Sequence, residues 1–339
     1  MMKKLLASLL TLTCLSQFAP SFATQAQAGP LKLRLASVTT ATDHLGMGLQ
    51  KFKELVEQKS GGSIKVQIFF NAALGGERVA LEACQKGTID IAIASQSNLS
   101  LFCSDFLVFD LPHYILPTDA NRAKLYTALD SGELGTYLRG KLNSVGLQPL
   151  FYPETGCRQH LLRNKRVTTV EGLKGLKMRI TDSIVERELC EALGIYPVAM
   201  SFGEVLTAMR QGAIDAMGLP LASFATMNQD AEIAKYALLT DYNYYMSPVV
   251  MNLRKFKKLT PEQQKIIIES SQEAVNYERE EFNRQERAAR EFLTKEGMEI
   301  IALSPEELAK FDNLVRPIWD MFPDKISPET FAQVQKALQ

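Results

Sequence analysis

The sequence predicts an α/β protein of two similar lobes joined by a hinge, with a cleft between them. Three observations carry that prediction. The order strand, helix, strand, helix, Gly-x-Ile-Asp, strand occurs between Lys32 and Ala94 and again between Leu176 and Ala216. The two Ile-Asp pairs, Ile89-Asp90 and Ile214-Asp215, stand 125 residues apart. Two strand-like stretches, Gly146–Tyr152 and Tyr236–Asn252, read as crossings between the lobes, and paired crossings make a hinge. Alternating strands and helices imply mostly parallel sheets, with binding sites at the carboxyl ends of strands.

The elements follow from local chemistry. In Lys32–Ser37, Leu33 and Leu35 alternate with polar neighbours, the period of a half-buried strand. From about Leu45 to Lys59, the residues Leu45, Leu49, Phe52, Leu55 and Val56 share one helical face. Gly61-Gly62 stops that helix. Ile64–Phe70 is β-branched and aromatic, a strand. Leu74-Gly-Gly-Glu77 is a turn before a second helix, and Gly87 precedes the apolar strand Ile89–Ala94. Asn121 to about Leu142 is mainly helical. Thr260-Pro-Glu-Gln263 combines an N-cap, a proline at the first helical position and a capping Gln. The pattern then continues unbroken to about Lys295, long enough to lie across both lobes. Ser304-Pro and Ser327-Pro start two shorter helices.

The chain of 339 residues opens with Lys3 and Lys4, an apolar run from Leu5 to about Leu15, and Ala26-Gln27-Ala28. That is the layout of a cleaved export signal over residues 1–28. Without it, 36 basic and 38 acidic residues remain, and no basic stripe suggests a nucleic-acid partner. Cys84, Cys103, Cys157 and Cys190 could form disulfides in an oxidising compartment or stay as thiols; four allow three pairings. They form no Cys-x-x-Cys pair, and His44, His113 and His160 are scattered, so neither a metal nor another cofactor is expected. No Gly-x-Ser-x-Gly, His-Glu-x-x-His or phosphate loop is present. An enzyme is therefore not expected, although a triad assembled from distant positions stays open.

The stretch Lys174–Ser183 is the sharpest site signal. Met178 and Ile180 alternate with Lys177 and Arg179, and Ser183-Ile-Val-Glu186 matches a capping box. Arg179 therefore sits where a strand meets a helix start, a position suited to a carboxylate. The alternative is an arginine on an exposed strand face.

Six segments then carry a family likeness in order: Leu74-Gly-Gly-Glu-Arg78, Gly87-x-Ile-Asp90, Gly156-Cys-Arg158, Leu173-Lys-Gly-Leu-Lys-Met-Arg179, Met200-Ser-Phe-Gly-Glu204 and Gly212-Ala-Ile-Asp215. Together they resemble the periplasmic substrate-binding proteins of tripartite ATP-independent periplasmic (TRAP) transporters, of the dicarboxylate-binding type. The resemblance implies a monomeric periplasmic protein that delivers a small organic acid to a permease of small and large membrane subunits. It implies lobe 1 over 29–153, with returns over about 246–284 and 312–339, and lobe 2 over 154–245, with about 285–311. It carries the main carboxylate-binding role to Arg179, a ligand-placing role to Arg158 and an aromatic contact to Phe202.

One segment departs from the family. Where members often read Gly-Gln-Glu-Asn-Pro, this chain has Ala216-Met-Gly-Leu-Pro220. Leu219 replaces a ligand-binding Asn, and Met217 and Leu219 become candidate pocket wall. Thr39 lies in the turn after the first strand, and Ser95, Gln96 and Asn98 follow the Ile89–Ala94 strand. These are the remaining candidate contacts. Fewer polar groups imply a monocarboxylate with an apolar or aromatic body, since an unpaired buried polar group is costly. The other readings are a ligand-sensing subunit of a signalling system and, more remotely, an exported enzyme.

Overall fold

A computed structural model of the chain describes residues 29–227 and 233–339. The expected signal segment over 1–28 lies outside the described residues. In chain order the strands are β1 (Leu31–Ala36), β2 (Ile64–Phe69), β3 (Ile91–Ile93), β4 (Leu147–Phe151), β5 (Glu154–Cys157), β6 (Gln159–Leu162) and β7 (Lys177–Ile180). They continue with β8 (Tyr196–Ala199), β9 (Ala216–Leu219), β10 (Tyr236–Leu239), β11 (Tyr244–Met246), β12 (Val249–Asn252) and β13 (Glu299–Ala302).

These strands build one sheet per lobe. The first runs β2-β1-β3-β12-β4 and the second β13-β10-β6-β9-β7-β8. Each is mostly parallel, as expected, and is mixed through one reversed strand, β12 in the first and β6 in the second. β12 runs antiparallel to β3 and β4, and β6 runs antiparallel to β9 and β10. The reversal follows from the threading. β4 leaves the first lobe and β12 returns beside it, so the two must point oppositely. Between the lobes, β5 and β11 form a two-stranded antiparallel ribbon. Glu154, fully buried at its start, accepts from the Thr155 and Gly156 N–H groups (3.1 and 2.6 Å), from Tyr244 Oη (2.6 Å) and from Arg122 Nε (3.3 Å).

The helices follow the expected chemistry. Asp43 caps the helix His44–Lys59, accepting from Leu45 N at 2.9 Å. The long helix Pro261–Lys295 begins on a complete Thr260/Gln263 capping box. Its 35 residues span about 50 Å. It packs on the helix His44–Lys59 and β4 in one lobe and on the helix Leu221–Met227 and β13 in the other. The region expected to be mainly helical up to Leu142 is two helices, Asp119–Asp130 and Glu133–Ser144, interrupted at Gly132.

The cysteine alternatives are also resolved. Cys84, Cys103, Cys157 and Cys190 are all buried free thiols. Burial pushes Cys84, Cys103 and Cys190 up to about 12, so these thiols are poor nucleophiles.

Two features of this frame give testable outcomes. Gly218 in β9 lies against the Tyr242 ring, and a Cβ there would overlap the hydroxyl and approach Cζ at 2.8 Å. Gly218→Ala should destabilise the protein by about 1–3 kcal/mol in urea unfolding, the usual cost of overpacking. Tyr242→Phe in the same chain should recover part of that loss; no recovery would place the strain elsewhere. His44 is buried, with Nδ1 at 2.6 Å from Glu278 Oε1 of the long helix. Burial pushes its imidazole down, but Asp43, Glu278 and Glu154 outweigh that and hold it up at about 9. The folded value exceeds the ordinary 6.5, so the proton stabilises the fold fully below about pH 6.5 and its contribution fades as pH rises towards 9. Melting temperature should fall over that interval, and less steeply in His44→Gln; parallel curves would overturn the assignment.

Candidate functional site

The cleft is fixed by segments that follow strands in both lobes. Arg78 bridges to Asp182 at 3.4 Å, joining the segment after β2 to the segment after β7. Thr226 Oγ1 donates to Asp43 Oδ2 at 3.0 Å. Two voids lie within. The larger, about 250 Å³, is lined by Arg179, Thr181, Met200 and Phe202 on one side and by Glu77, Arg78 and Asn98 on the other. The smaller, about 40 Å³, is lined mainly by Val38, Thr39, Leu45, Thr155, Leu219 and Tyr245. Glu77 and Phe202 border both.

Arg179 is only 6% exposed, which removes the reading of a solvent-facing strand residue. β8 and β9 flank its strand on either side in parallel register. Its Nε and Nη2 both donate to the Met200 carbonyl at 3.1 Å. Met200 is held in turn by the capping box at Ser201 and Glu204. Arg179 has no other hydrogen bond and no carboxylate partner among the described residues, so Nη1 is unused, and the residue lines the larger void. The Phe202 ring centre is 5.7 Å from its guanidinium carbon. Burial, then the nearby Arg158 charge, pushes Arg179 down to about 10. Buried charges are ordinarily paired, because desolvating an ion alone is costly.

Arg158 is the counter-example. It lies between β5 and β6, equally buried, in an ion pair with Glu186 and 4.2 Å from the Tyr245 ring centre. Glu186 Oε2 also accepts from Thr181 N (2.7 Å) and Thr181 Oγ1 (3.0 Å). The expected Ser183/Glu186 capping box is therefore only half made. Ser183 accepts from Glu186 N, but the Glu186 carboxylate is committed to Thr181 and Arg158. A buried Asp110 extends the network, accepting from Ser97, Ser183 and Gln96 at 2.6, 2.6 and 3.1 Å.

Of the residues singled out from sequence, Arg179, Phe202, Thr39, Asn98 and Leu219 line the voids. Arg158, Ser95, Gln96 and Met217 do not. Ser95 caps the short helix Gln96–Leu99 and donates to Glu77. Gln96 donates to Tyr244 O and accepts from Met246 N, which ties this segment to the hinge ribbon. Met217 packs in the second-lobe core. Sequence reasoning missed Glu77, Thr155, Ser223 and Ser247 as lining residues. Glu77 opens the helix Glu77–Lys86, where an acid is explained by the helix dipole alone, and that hid it. A larger open groove, about 580 Å³, lies between the helices near Lys124 and Lys336. Lys336 there already pairs with Glu133 at 2.7 Å, and Lys124 with the C-terminal carbonyls, so no unpaired charge waits in it. Among the described residues no cluster of three or more potential metal ligands forms.

Two α/β lobes with a buried arginine at the cleft between them are the arrangement of a solute-binding protein. The chain belongs to the bacterial extracellular solute-binding proteins of family 7, whose pattern residues 35–325 match. It is 29% identical over 343 residues to the C4-dicarboxylate-binding periplasmic protein DctP of Rhodobacter capsulatus, covering 99% of this chain and 98% of that one. A TRAP periplasmic solute-binding protein from Bordetella bronchispeptica, whose ligand density was assigned as pantoate, superposes with a TM-score of 0.82 at 29% identity, covering 91% and 99% of the two chains. One from Sulfurospirillum deleyianum with bound succinate superposes with a TM-score of 0.83 at 25% identity, covering 91% and 100%. The likeness read from the ordered motifs is thus shown: this is a TRAP-type solute-binding protein for small organic acids.

The two arginines predict opposite stability effects in the ligand-free protein. Arg158→Met strands a buried Glu186 and should cost about 3–5 kcal/mol, whereas Arg179→Met removes an unpaired ion and should leave stability unchanged or raised. Urea unfolding of both variants checks this; equal losses would show that Arg179 is structurally paired after all.

Proposed function

We propose that the chain captures a monocarboxylic acid with an apolar or aromatic body and delivers it from the periplasm to a TRAP permease of small and large membrane subunits. Export by the segment over 1–28 is part of this reading. The observation that carries it is the buried Arg179, whose guanidinium meets one carbonyl and no carboxylate. A ligand carboxylate on the open Nη1 edge supplies the missing charge, in a geometry that lysine cannot match. Phe202 packs beside it, and Val38, Leu45 and Leu219 give the body an apolar wall. Arg158 contributes through Tyr245, whose ring it faces and which borders the smaller void. A second ligand carboxylate is disfavoured. Arg78, the other cation of the larger void, is bound to Glu82 and Asp182, while Glu77 and Glu204 add negative charge. The relatives' ligands, pantoate and succinate, share the carboxylate and differ in the rest.

Thermal shift on ligand-stripped protein tests the reading. Phenylacetate and butanoate should raise the melting temperature; succinate and galacturonate should not. Arg179→Ala should weaken the best ligand at least roughly 30-fold, the low end of about 2–5 kcal/mol for losing one partner of a buried charge pair. Stabilisation by dicarboxylates or polyhydroxylated acids alone would overturn the proposal.

A further inference from the structure

His113 stands between the lobes with both ring nitrogens committed. Its loop follows the turn Ser104–Phe109, which packs on the helix Gln96–Leu99 after β3 of the first sheet. Nε2 meets the Thr240 carbonyl at 2.7 Å, just beyond β10 of the second sheet. Nδ1 meets Asp312 Oδ1 at 2.5 Å, on the helix Pro305–Val315, which packs against the second-lobe helix Ile184–Ala192. The His113 backbone N–H donates to the Tyr242 carbonyl at 3.1 Å. Two bonds from one residue thus grip the return crossing to the first lobe, and a third ties that grip to a helix. His113 (φ 52°) and Asp241 (φ 44°) are both left-handed, a backbone that non-glycine residues keep only when their surroundings hold it.

Carbonyl and carboxylate oxygens only accept, and a neutral imidazole has a single N–H to donate. The two ring bonds therefore coexist only on the imidazolium. Loss of its proton turns a nitrogen lone pair towards one of the two acceptors and breaks that bond. Among the described residues, Asp312 is the one charged side chain bonded to the ring. Phe311 of the same helix faces it at 5.1 Å. In the crossing, the Asp241 carboxylate is turned to Gln159 Nε2 at 2.5 Å, and His160 of β6 is engaged with Thr240 Oγ1 at 2.8 Å. The adjoining turn Arg316–Asp320 holds Pro112 through Trp319 Nε1 at 2.7 Å; its Arg316 is stacked on Trp319 and its Asp320 is exposed. We infer that His113 is a proton-operated clasp on the hinge. Charged, it holds the return crossing and the helix Pro305–Val315 together in the lobe arrangement described; neutral, it releases one of them and favours opening and solute release.

The inter-lobe distance in ligand-stripped protein tests this, and needs no knowledge of the solute. Spin labels go on Gln67→Cys of β2 and Tyr196→Cys of β8, both exposed, because Cys84, Cys103, Cys157 and Cys190 are buried. Between about pH 5 and 8, where histidines ordinarily change charge, the ratio of open to closed molecules should rise roughly fivefold, the weight of one lost hydrogen bond. His44, held up at about 9, and His160, pushed down by burial to about 3, have their midpoints outside that interval. His113→Asn keeps a residue that tolerates the left-handed backbone but loses the ring, and should be as open at the acid end as wild type at the alkaline end. Asp312→Asn can donate to a neutral imidazole, so it should stay closed throughout. If His113→Asn does not fold, Asp312→Asn decides alone. A wild-type distance that ignores pH, or a variant that keeps the wild-type response, would overturn the clasp.

Discussion

A full positive charge held against a single carbonyl oxygen is the constraint around which this cleft is arranged. The Arg179 guanidinium donates twice to Met200 O, and that carbonyl is fixed because Ser201 and Glu204 cap the next helix. β8 and β9 close in on both sides. The side chain is buried and meets no carboxylate among the described residues. On the proposed reading, closure without a ligand leaves that ion desolvated, and closure on an organic acid offsets the penalty. The ligand then shifts the hinge because its affinity differs between the two lobe arrangements, as any such shift requires.

Arg158 shows how the same residue type becomes part of the frame. Its charge is answered by Glu186, whose second oxygen is held by Thr181, and the network runs through Ser97 and Ser183 to Asp110. These groups come from segments following β3, β5 and β7. The network therefore ties the elements that shape the cleft to one another. It also places Arg158 behind Tyr245 rather than in the void.

Much of this was legible in the sequence, for identifiable reasons. Helix starts at Thr260, Ser304 and Ser327 depend on residues within one turn, so local reading suffices. The lobe repeat was readable because strand and helix periods differ. The sense of β6 and β12 was not, because strand direction is set by how the chain re-enters a sheet and not by its own residues. Arg179 and Arg158 looked alike because a partner such as Glu186 is chosen in space. Ser95 and Gln96 looked like ligand contacts because they follow a strand, yet their polar atoms are used by Glu77 and by the hinge ribbon. Glu77 was concealed by an adequate local explanation as a helix-start acid.

The Ala216–Pro220 departure gains a physical meaning from its surroundings. Gly218 carries no side chain because the Tyr242 ring occupies the space where a Cβ would sit. Tyr242 is itself fully buried and packs against His160 of β6. β9 is thus backed by an aromatic layer, and its buried end presents Leu219 to the void. The polar groups that line this smaller void are Asp43, Glu77 and the hydroxyls of Thr39, Thr155, Ser223 and Ser247. On the proposed reading, Val38, Leu45 and Leu219 meet the apolar part of an acid whose carboxylate is oriented by the charge buried at Arg179.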